Sequence, residues 1–402
     1  MKQMTAVGPA DTSVAMPLQV DALAFVILAS LCLLVPTNGI GSNGMVLSFL
    51  WVLVRQPAVR RDWWQVLWPL ALAAFVYLLV LGAMAFSPRH GLKDSWSVFH
   101  GVMLSLLGVY LAQLPIRQLR DTAYVVVGLM TAFAIAVLLY NFHHNGVAVT
   151  LQLGGLDWWV NRNRLAVGLG LGFVLATVFA VTAESQARRS VLLACAAILL
   201  VISYINNCRG ALLGMIAAAG LMALYWNWRL TLILGALALV GVAVLWEQGV
   251  LMHLISHNGT IDSGRGGMWH GVMDRIAQRP WTGYGLHALP YDPVYQAKYG
   301  WLQLGHTHSI YLDLLYASGI IGVLFWLGWF TVFSVRLRRA ISVSAVDVRY
   351  LGVGLLAYTL VHGLVDFGFY ELGISILIVL GWTCMAVARR ESAAAADVSS
   401  PA

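Results

Sequence analysis

The chain has 402 residues, of which 60% are hydrophobic and 10% are charged, and its mean hydropathy is +0.79. This composition excludes a soluble globular protein and predicts a polytopic α-helical membrane protein. The formal net charge of +7 comes mostly from arginines in predicted cytoplasmic loops, so it indicates contact with anionic membrane lipids and no nucleic-acid binding. The apolar runs do not alternate with polar residues, which excludes transmembrane β-strands.

Apolar runs of about 20 residues can cross the roughly 30 Å of hydrocarbon in a bilayer. Twelve such runs follow one another with short polar breaks, so we predict an all-α fold with about 12 transmembrane helices. The second run is short, and the seventh and eighth are separated by little more than Asn206 to Gly210. The predicted spans are residues 19–36, 40–54, 65–86, 96–114, 122–141, 164–183, 190–207, 210–226, 229–249, 308–334, 349–366 and 371–388.

Arginines collect in alternate loops between the predicted helices. Because short cytoplasmic loops retain Lys and Arg, this alternation places those loops and both termini in the cytoplasm and the other loops, in a bacterium, in the periplasm. No small-residue cleavage site follows the first apolar run, so we predict no cleavable signal peptide. We expect that helix to act as its own insertion signal. The predicted division is helices 1–9 in residues 1–249, a large periplasmic loop in residues 250–307, helices 10–12 in residues 308–388, and a disordered cytoplasmic tail in residues 389–402.

Several cations break this pattern because they lie on the predicted periplasmic side, where membrane insertion does not require them. A charged side chain at a helix centre costs about 2.5 to 3.5 kcal/mol and is retained mostly where it pairs or binds something. A single arginine can be explained by snorkelling or by a structural ion pair. Several arginines with few nearby carboxylates favour a phosphate or pyrophosphate site, since the guanidinium fork matches phosphate oxygens. These cations are Arg162 and Arg164 in the stretch DWWVNRNR, Arg209, Arg265, Arg275, Arg279 and Lys298.

The long loop contains a candidate amphipathic helix that begins near Asp262 and Ser263, both possible caps, and ends at Pro280. We expect its apolar side to lie on the periplasmic membrane surface. Arg265 near its beginning adds charge to the helix dipole, which favours an anion. The apolar residues at helical spacing are Met268, Trp269, Val272, Met273 and Ile276, and Asp274, Arg275 and Gln278 face the other way.

His306 and His308 precede the tenth predicted span. Two histidines at this spacing can bind zinc, but the segment lacks a third ligand, and the four cysteines have no plausible partners, so neither a metal nor a disulfide is predicted. Each histidine could be a capping or interfacial residue. The functional alternative is a general base, since an imidazole with an ordinary pKa near 6.5 can take a proton from a sugar hydroxyl. Asp313 or Asp366 could orient such a histidine or only pair with it.

The long loop and the helix after it carry the stretches RGGMWHGVMDRIAQRPWTGYGLH and HTHSIYLDLLYASGIIG. Together they resemble the Wzy_C region shared by O-antigen ligases (WaaL), O-antigen polymerases and protein O-oligosaccharyltransferases. Stretches beginning at Asn163 and Cys208 are similar to two further family signatures, so the resemblance covers much of the chain from about residue 160. Ala317 is a departure, because many members have a glutamate there, which puts a general catalytic role for that glutamate in doubt. The matching positions are Arg265, Trp269, Pro280, Gly283, Gly285, His308 to Leu312, and Gly319 to Gly322.

The resemblance implies a glycosyltransferase of the C-type membrane architecture in the inner membrane of a Gram-negative bacterium, with its active site facing the periplasm. The donor would be undecaprenyl-pyrophosphate-linked O-antigen and the acceptor the lipid A-core oligosaccharide, with inversion at the anomeric carbon and no cofactor or metal. His308 would be the general base, and the leaving pyrophosphate would be neutralised by Arg164, Arg209 and Arg265. The residues assigned to substrate binding are Arg162, Asn163, Trp269, Tyr284, His306 and Tyr311.

Within the family, an O-antigen ligase is favoured over two alternatives. A polymerase tends to have two comparable periplasmic loops with arginines, whereas here one large loop follows the ninth span. A protein O-oligosaccharyltransferase usually carries an added periplasmic domain, and here only a short tail follows the last span. A flippase or secondary transporter could share the plan of twelve spans, but it would show repeats and place charges near the membrane midplane, and this sequence does neither.

Overall fold

A computed structural model describes residues 18–33, 40–145, 162–206, 208–247, 265–299, 306–343 and 346–389. The predicted all-helical fold is confirmed over these residues, with one added pair of two-residue parallel strands, β1 (Ser342–Val343) and β2 (Ala388–Arg389). Six helices in this part of the chain are long and apolar enough to cross a membrane, which identifies a multi-pass membrane protein. The count of about 12 crossings and the orientation stay predictions. The predicted caps Asp262 and Ser263 and almost all of the predicted tail lie outside the described residues.

The helices follow the predicted spans with three main differences. The third helix begins at Pro57, a residue suited to the first helical position. The fourth span is divided at Leu104, and the eighth and ninth spans form one helix with a kink at Asn227 (φ −152°, ψ 89°). The helices are α1 (Ala22–Leu33), α2 (Ile40–Arg55), α3 (Pro57–Met84), α4 (Pro88–Met103), α5 (Ser105–Gln113), α6 (Ile116–Asn145), α7 (Arg162–Val181), α8 (Gln186–Ile205), α9 (Arg209–Glu247), α10 (Arg265–Gln278), α11 (Pro293–Tyr299), α12 (Ile310–Ala340), α13 (Val346–His362) and α14 (Leu372–Ala386), and a 3₁₀ turn spans Leu289–Tyr291.

Helix α13 packs against α7, α9 and α14. Glycines on two of these helices allow a close approach. A methyl group on Gly170 of α7 would lie 2.2 Å from the ring of Tyr358, and one on Gly214 of α9 would lie 2.7 Å from the Tyr358 carbonyl oxygen. Small residues at such interfaces let transmembrane helices pack closely without a hydrophobic driving force. The Tyr358 hydroxyl also donates to the carbonyl of Ala166 at 3.2 Å, so the beginning of α7 is held against α13.

Helix α12 is interrupted at Gly319, where φ is +60°. The turn that follows α10 fills this break and supplies backbone partners. The N–H of Ile320 donates to the carbonyl of Pro280 at 2.8 Å, and the N–H of Gly285 donates to the carbonyl of Ala317 at 2.8 Å. Because buried backbone groups must be paired, the turn and the interrupted helix stabilise each other.

Replacing Gly319 with alanine is expected to destabilise the protein strongly. An added Cβ would lie 2.4 Å from the carbonyl group of Trp281, and a side chain at this backbone angle is strained by about 1–3 kcal/mol even without a clash. Thermal unfolding of the purified protein in detergent measures the loss. Gly328→Ala is the matched control, since it lies in the same helix with nothing within 4 Å of its added Cβ. Equal melting temperatures for the two variants would contradict this account of the break.

The apolar side of α10 packs mostly inside the protein, which contradicts the prediction that this side lies on a membrane surface; of the predicted apolar residues, Met273 stays exposed. Met268 and Val272 are buried in a cluster with Tyr316 of α12, because the chain folds back over α10 after the helix ends. Arg275 was expected on the polar side, yet it is buried as well. Its Nε donates to Oδ2 of Asp292 at 2.7 Å, and the Tyr316 hydroxyl donates to the same oxygen at 2.6 Å. The buried ion pair therefore holds this segment together, and the hydrogen bond from Tyr316 connects it to α12.

Candidate active site

Three helices that carry arginines in their first turns begin near the C-terminal end of α13. Helix α9 begins at Arg209, α10 begins at Arg265, and Arg164 lies in the first turn of α7. The N–H groups and the dipole at a helix N-terminus favour negative charge, and an arginine there strengthens the same field. These three helix beginnings therefore suit an anionic ligand.

Contacts to the end of α13 bring these helix beginnings to one place. The Arg265 guanidinium donates to the carbonyl of Val365. Gly210, which follows Arg209, lies so close to His362 that an added methyl group would be 2.7 Å from the imidazole Cδ2. Arg164 is exposed, and Arg209 and Arg265 are partly exposed. The residues predicted to bind pyrophosphate come from distant parts of the sequence. The helices that carry them nevertheless begin close to the connection between α13 and α14.

His308 lies just before α12 in a left-handed backbone conformation (φ +51°), which is costly for a non-glycine residue and recurs at functional sites. Its Nδ1 lies 3.0 Å from Oδ1 of Asp366, in the connection between α13 and α14. Burial alone would raise the pKa of Asp366, but the hydrogen bond from His308 and the nearby His362 and Arg265 bring it below its ordinary value. Because an ionised carboxylate only accepts, Nδ1 donates, which leaves Nε2 as the ring nitrogen that can receive a proton as a general base does.

A second histidine–carboxylate pair lies beside the first. The rings of His306 and His308 have centroids 4.3 Å apart, and Nδ1 of His306 lies 3.0 Å from Oε1 of Glu371. Burial would lower the pKa of His306, but Glu371 above all, with Asp313 and Asp366, raises it above its ordinary value. Sequence reasoning missed Glu371, because no local spacing connects this carboxylate to a histidine on another helix connection.

Two groups of described side chains could hold a metal ion, each with its potential ligand atoms within 4.8 Å of one another. One group contains Cys208, His362 and Asp366, and the other contains His306, His308 and Asp366. The sequence predicts no metal, on the ground that the segment lacks a third ligand and the cysteines have no plausible partners. That ground is wrong, because the tertiary structure brings Asp366 to both groups and places Sγ of Cys208 3.9 Å from Nε2 of His362. The absence of a metal from the reaction stays a prediction.

Most of the residues assigned to substrate binding lie near the connection between α13 and α14. Trp269 donates its Nε1 hydrogen to the carbonyl of Thr307 at 3.0 Å, so it ties α10 to the stretch that carries the histidines. Tyr311 is 42% exposed, and its hydroxyl donates to a backbone carbonyl of α13 at 3.1 Å. Asn163 is partly exposed at the beginning of α7, whereas the side chain of Arg162 lies outside the described residues.

Tyr284 is not placed to contact a substrate. Its side chain is only 3% exposed, and its hydroxyl donates to the carbonyl of Arg275 at 2.9 Å. Its ring stacks against Phe86 and Tyr316, and the guanidinium of Arg279 lies 5.0 Å from its centroid. The structure therefore corrects this assignment: Tyr284 supports the packing of the segment because the fold uses both its ring and its hydroxyl.

Comparison with known proteins agrees with these features. Residues 192–327 match the family model Wzy_C, described as O-Antigen ligase. A curated O-antigen ligase from Pseudomonas aeruginosa is 30% identical over 155 residues, which cover 37% of this chain and 36% of the relative, so the match spans about a third of the relative's length. The family match includes Arg209, Arg265, His306 and His308, whereas Asp366 follows it. Over residues 192–327 the chain is therefore similar to the Wzy_C family of O-antigen ligases.

Proposed function

We propose that this protein is an O-antigen ligase of lipopolysaccharide biosynthesis. It transfers O-antigen glycan from undecaprenyl pyrophosphate to the lipid A-core oligosaccharide at the periplasmic face of the inner membrane. The observation that carries the proposal is the His308–Asp366 pair, 3.0 Å apart, beside the Arg265 guanidinium, which donates to the carbonyl of Val365 in the connection after α13. A base and a cation must act on one reacting sugar, and these residues provide both in one place.

The proposed reaction is a direct displacement. An acceptor hydroxyl oxygen forms a bond to the anomeric carbon of the donor sugar, and the bond from that carbon to the pyrophosphate oxygen breaks with inversion. The hydroxyl proton passes to Nε2 of His308, while Asp366 holds the ring through Nδ1 and stabilises the imidazolium that forms. The bond electrons leave with undecaprenyl pyrophosphate.

The leaving pyrophosphate gains negative charge as its bond to the sugar breaks. We assign Arg265, Arg209 and Arg164 to this charge, together with the beginnings of the three helices that carry them. Fixed donors aimed at developing charge often supply the largest single catalytic contribution, and they cost no reorganisation during the reaction. Arginine also matches phosphate oxygens in a bidentate manner.

A reconstitution experiment tests the proposal. The purified full chain is incubated with undecaprenyl-pyrophosphate-linked O-antigen and with lipopolysaccharide that ends at the core, and the products are separated by gel electrophoresis. Glycan attached to the core supports a ligase, whereas longer lipid-linked glycan made without the acceptor would identify a polymerase. EDTA is expected to leave the rate unchanged. A loss of activity that Zn²⁺ restores would contradict the metal-independent reaction.

Arg265→Ala is expected to lower kcat by about 10²- to 10³-fold, the usual cost of removing one group that stabilises developing charge. Arg265→Lys keeps the charge but loses the planar fork, so it should recover only part of the rate. Arg279→Ala is the matched control, because this arginine follows the same helix but is exposed and lies over Tyr284. Initial rates in the reconstituted system measure all three. Equal losses for Arg265→Ala and Arg279→Ala would remove Arg265 from the site.

A further inference from the structure

Glu371 is the first residue before α14, yet its side chain does not cap that helix. Instead, Oε1 lies 3.0 Å from Nδ1 of His306 and accepts the N–H of Gly368 at 3.2 Å. The connection is held in place from the other side by the N–H of Tyr370, which donates to Asp313 at 3.4 Å. Glu371 is therefore positioned by its neighbours and directed toward the two histidines.

We propose that His306 and Glu371 form a subsite for the acceptor sugar, which binds the hydroxyl adjacent to the one that attacks. This inference rests on the proposed function. It adds Glu371 to the site, and it assigns His306 and Glu371 to the acceptor rather than to the donor.

Two polar groups that none of these contacts uses support the subsite: Nε2 of His306 and the second carboxylate oxygen of Glu371. Nε2 of His306 is buried and has no hydrogen-bond partner among the described residues. Glu371 is 38% exposed, and both contacts described above end on Oε1. Buried polar atoms are normally paired, so an unpaired nitrogen inside a candidate site indicates a missing ligand. A sugar hydroxyl can donate and accept at once, so it can satisfy both an imidazole nitrogen and a carboxylate.

The spacing of the two histidines suits adjacent hydroxyls. Their ring centroids are 4.3 Å apart, and the potential ligand atoms of His306, His308 and Asp366 all lie within 4.8 Å of one another. Neighbouring hydroxyl oxygens on a pyranose are separated by about one hydrogen-bond length. When one hydroxyl is within reach of His308, the next is therefore within reach of the His306–Glu371 pair.

Charge separates this subsite from the proposed pyrophosphate site. The carboxylate of Glu371 disfavours an anion beside it, whereas Arg265 favours one at the end of α13. A neutral sugar therefore fits on the Glu371 side of His308 and the pyrophosphate on the arginine side.

Steady-state kinetics of Glu371→Gln in the purified full chain test the inference. With core-terminated lipopolysaccharide as the varied substrate, we expect the acceptor KM to rise by about tenfold or more, the loss typical of a hydrogen bond to a charged group. The donor KM should stay the same, and kcat at saturating acceptor should change little. His306→Gln should raise the acceptor KM similarly, and the double variant should add little more, because both residues hold one hydroxyl. Glu184→Gln is the matched control, since this exposed carboxylate lies beyond the opposite end of α7.

The outcomes separate this inference from the proposed function. Transfer by the wild type with an unchanged acceptor KM in Glu371→Gln, or with equal changes for donor and acceptor, overturns the subsite alone. Absence of transfer by the wild type overturns the proposed function. Binding of core-terminated lipopolysaccharide to the His308→Ala variant then decides the subsite separately: Glu371→Gln in that background must weaken binding about tenfold, and unchanged binding overturns the inference.

Discussion

His308→Ala is expected to lower the rate of glycan transfer by about 10²- to 10⁴-fold, the contribution of a positioned general base. The variant removes the only group that we assign to the acceptor proton, while the arginines and the substrate sites remain. The loss should therefore fall on kcat, with both KM values close to those of the wild type. The reconstituted transfer assay measures it.

Asp366 should act through His308, so its variants test the pair. Asp366→Asn cannot accept the Nδ1 hydrogen as an ionised carboxylate does, and the ring is then free to adopt the wrong tautomer. We expect a loss approaching that of His308→Ala and little further loss in the double variant, because the two residues work as a unit. If the losses in transfer rate from the two single variants combined in full in the double variant, the pairing of Asp366 with His308 would be contradicted.

His270→Ala is the matched histidine control, since this side chain is exposed on α10. It should transfer glycan at the wild-type rate. Full activity of His308→Ala, measured beside a wild-type rate for this control, would remove the proposed mechanism.

Asp292→Ala is expected to destabilise the segment after α9 by about 3–5 kcal/mol, the cost of leaving a buried charge without its partner. Asp292 is fully buried, and Oδ2 accepts hydrogen bonds from Arg275 and Tyr316. Hydrogen–deuterium exchange of residues 265–299 in detergent measures the effect. Asp274→Asn, at an exposed position on α10, is the control and should exchange like the wild type. Restored protection in the double variant Arg275→Met with Asp292→Leu would show that the unpaired charge causes the loss, whereas unchanged exchange in Asp292→Ala would contradict it.

The pH dependence of this segment follows from the same pair. Burial alone would raise the pKa of Asp292, but hydrogen bonds from Arg275 and Tyr316 bring it below its ordinary value of 3.8. The unfolded state therefore binds the proton more readily than the folded state. The stabilisation is present above 3.8 and is lost as the pH falls through the lower folded-state pKa.

The fold class and most helix positions could be predicted because hydrophobic runs report their environment locally. The kink at Asn227 and the break at Gly319 could not be predicted in the same way. The sequence GIIG looks compatible with a continuous apolar helix. Gly319 leaves the helical conformation because a turn from another part of the chain supplies hydrogen bonds to the backbone there, and that turn is distant in sequence.

The residues of the candidate site also fall into those that could be predicted from the sequence and those that could not. His308 and Arg265 were recognisable because each belongs to a local pattern that the family shares. Glu371, the pairing of His308 with Asp366 rather than Asp313, and the burial of Tyr284 were not recognisable from their neighbours in sequence. Each depends on which helix ends meet, and many combinations of helix ends are compatible with one hydropathy pattern.

The sequence by itself determined that this is an all-helical membrane protein, and its family pattern singled out the arginines and histidines that merit testing. Only the tertiary structure decided that α7, α9 and α10 begin around the end of α13, and that the connection after α13 supplies carboxylates to both histidines. The physical reason is the distance in sequence over which each interaction acts. Hydrophobicity and charge patterns involve residues that are neighbours in the sequence, so they can be recognised there. The contacts that pair side chains from different helices form only when the helices pack together.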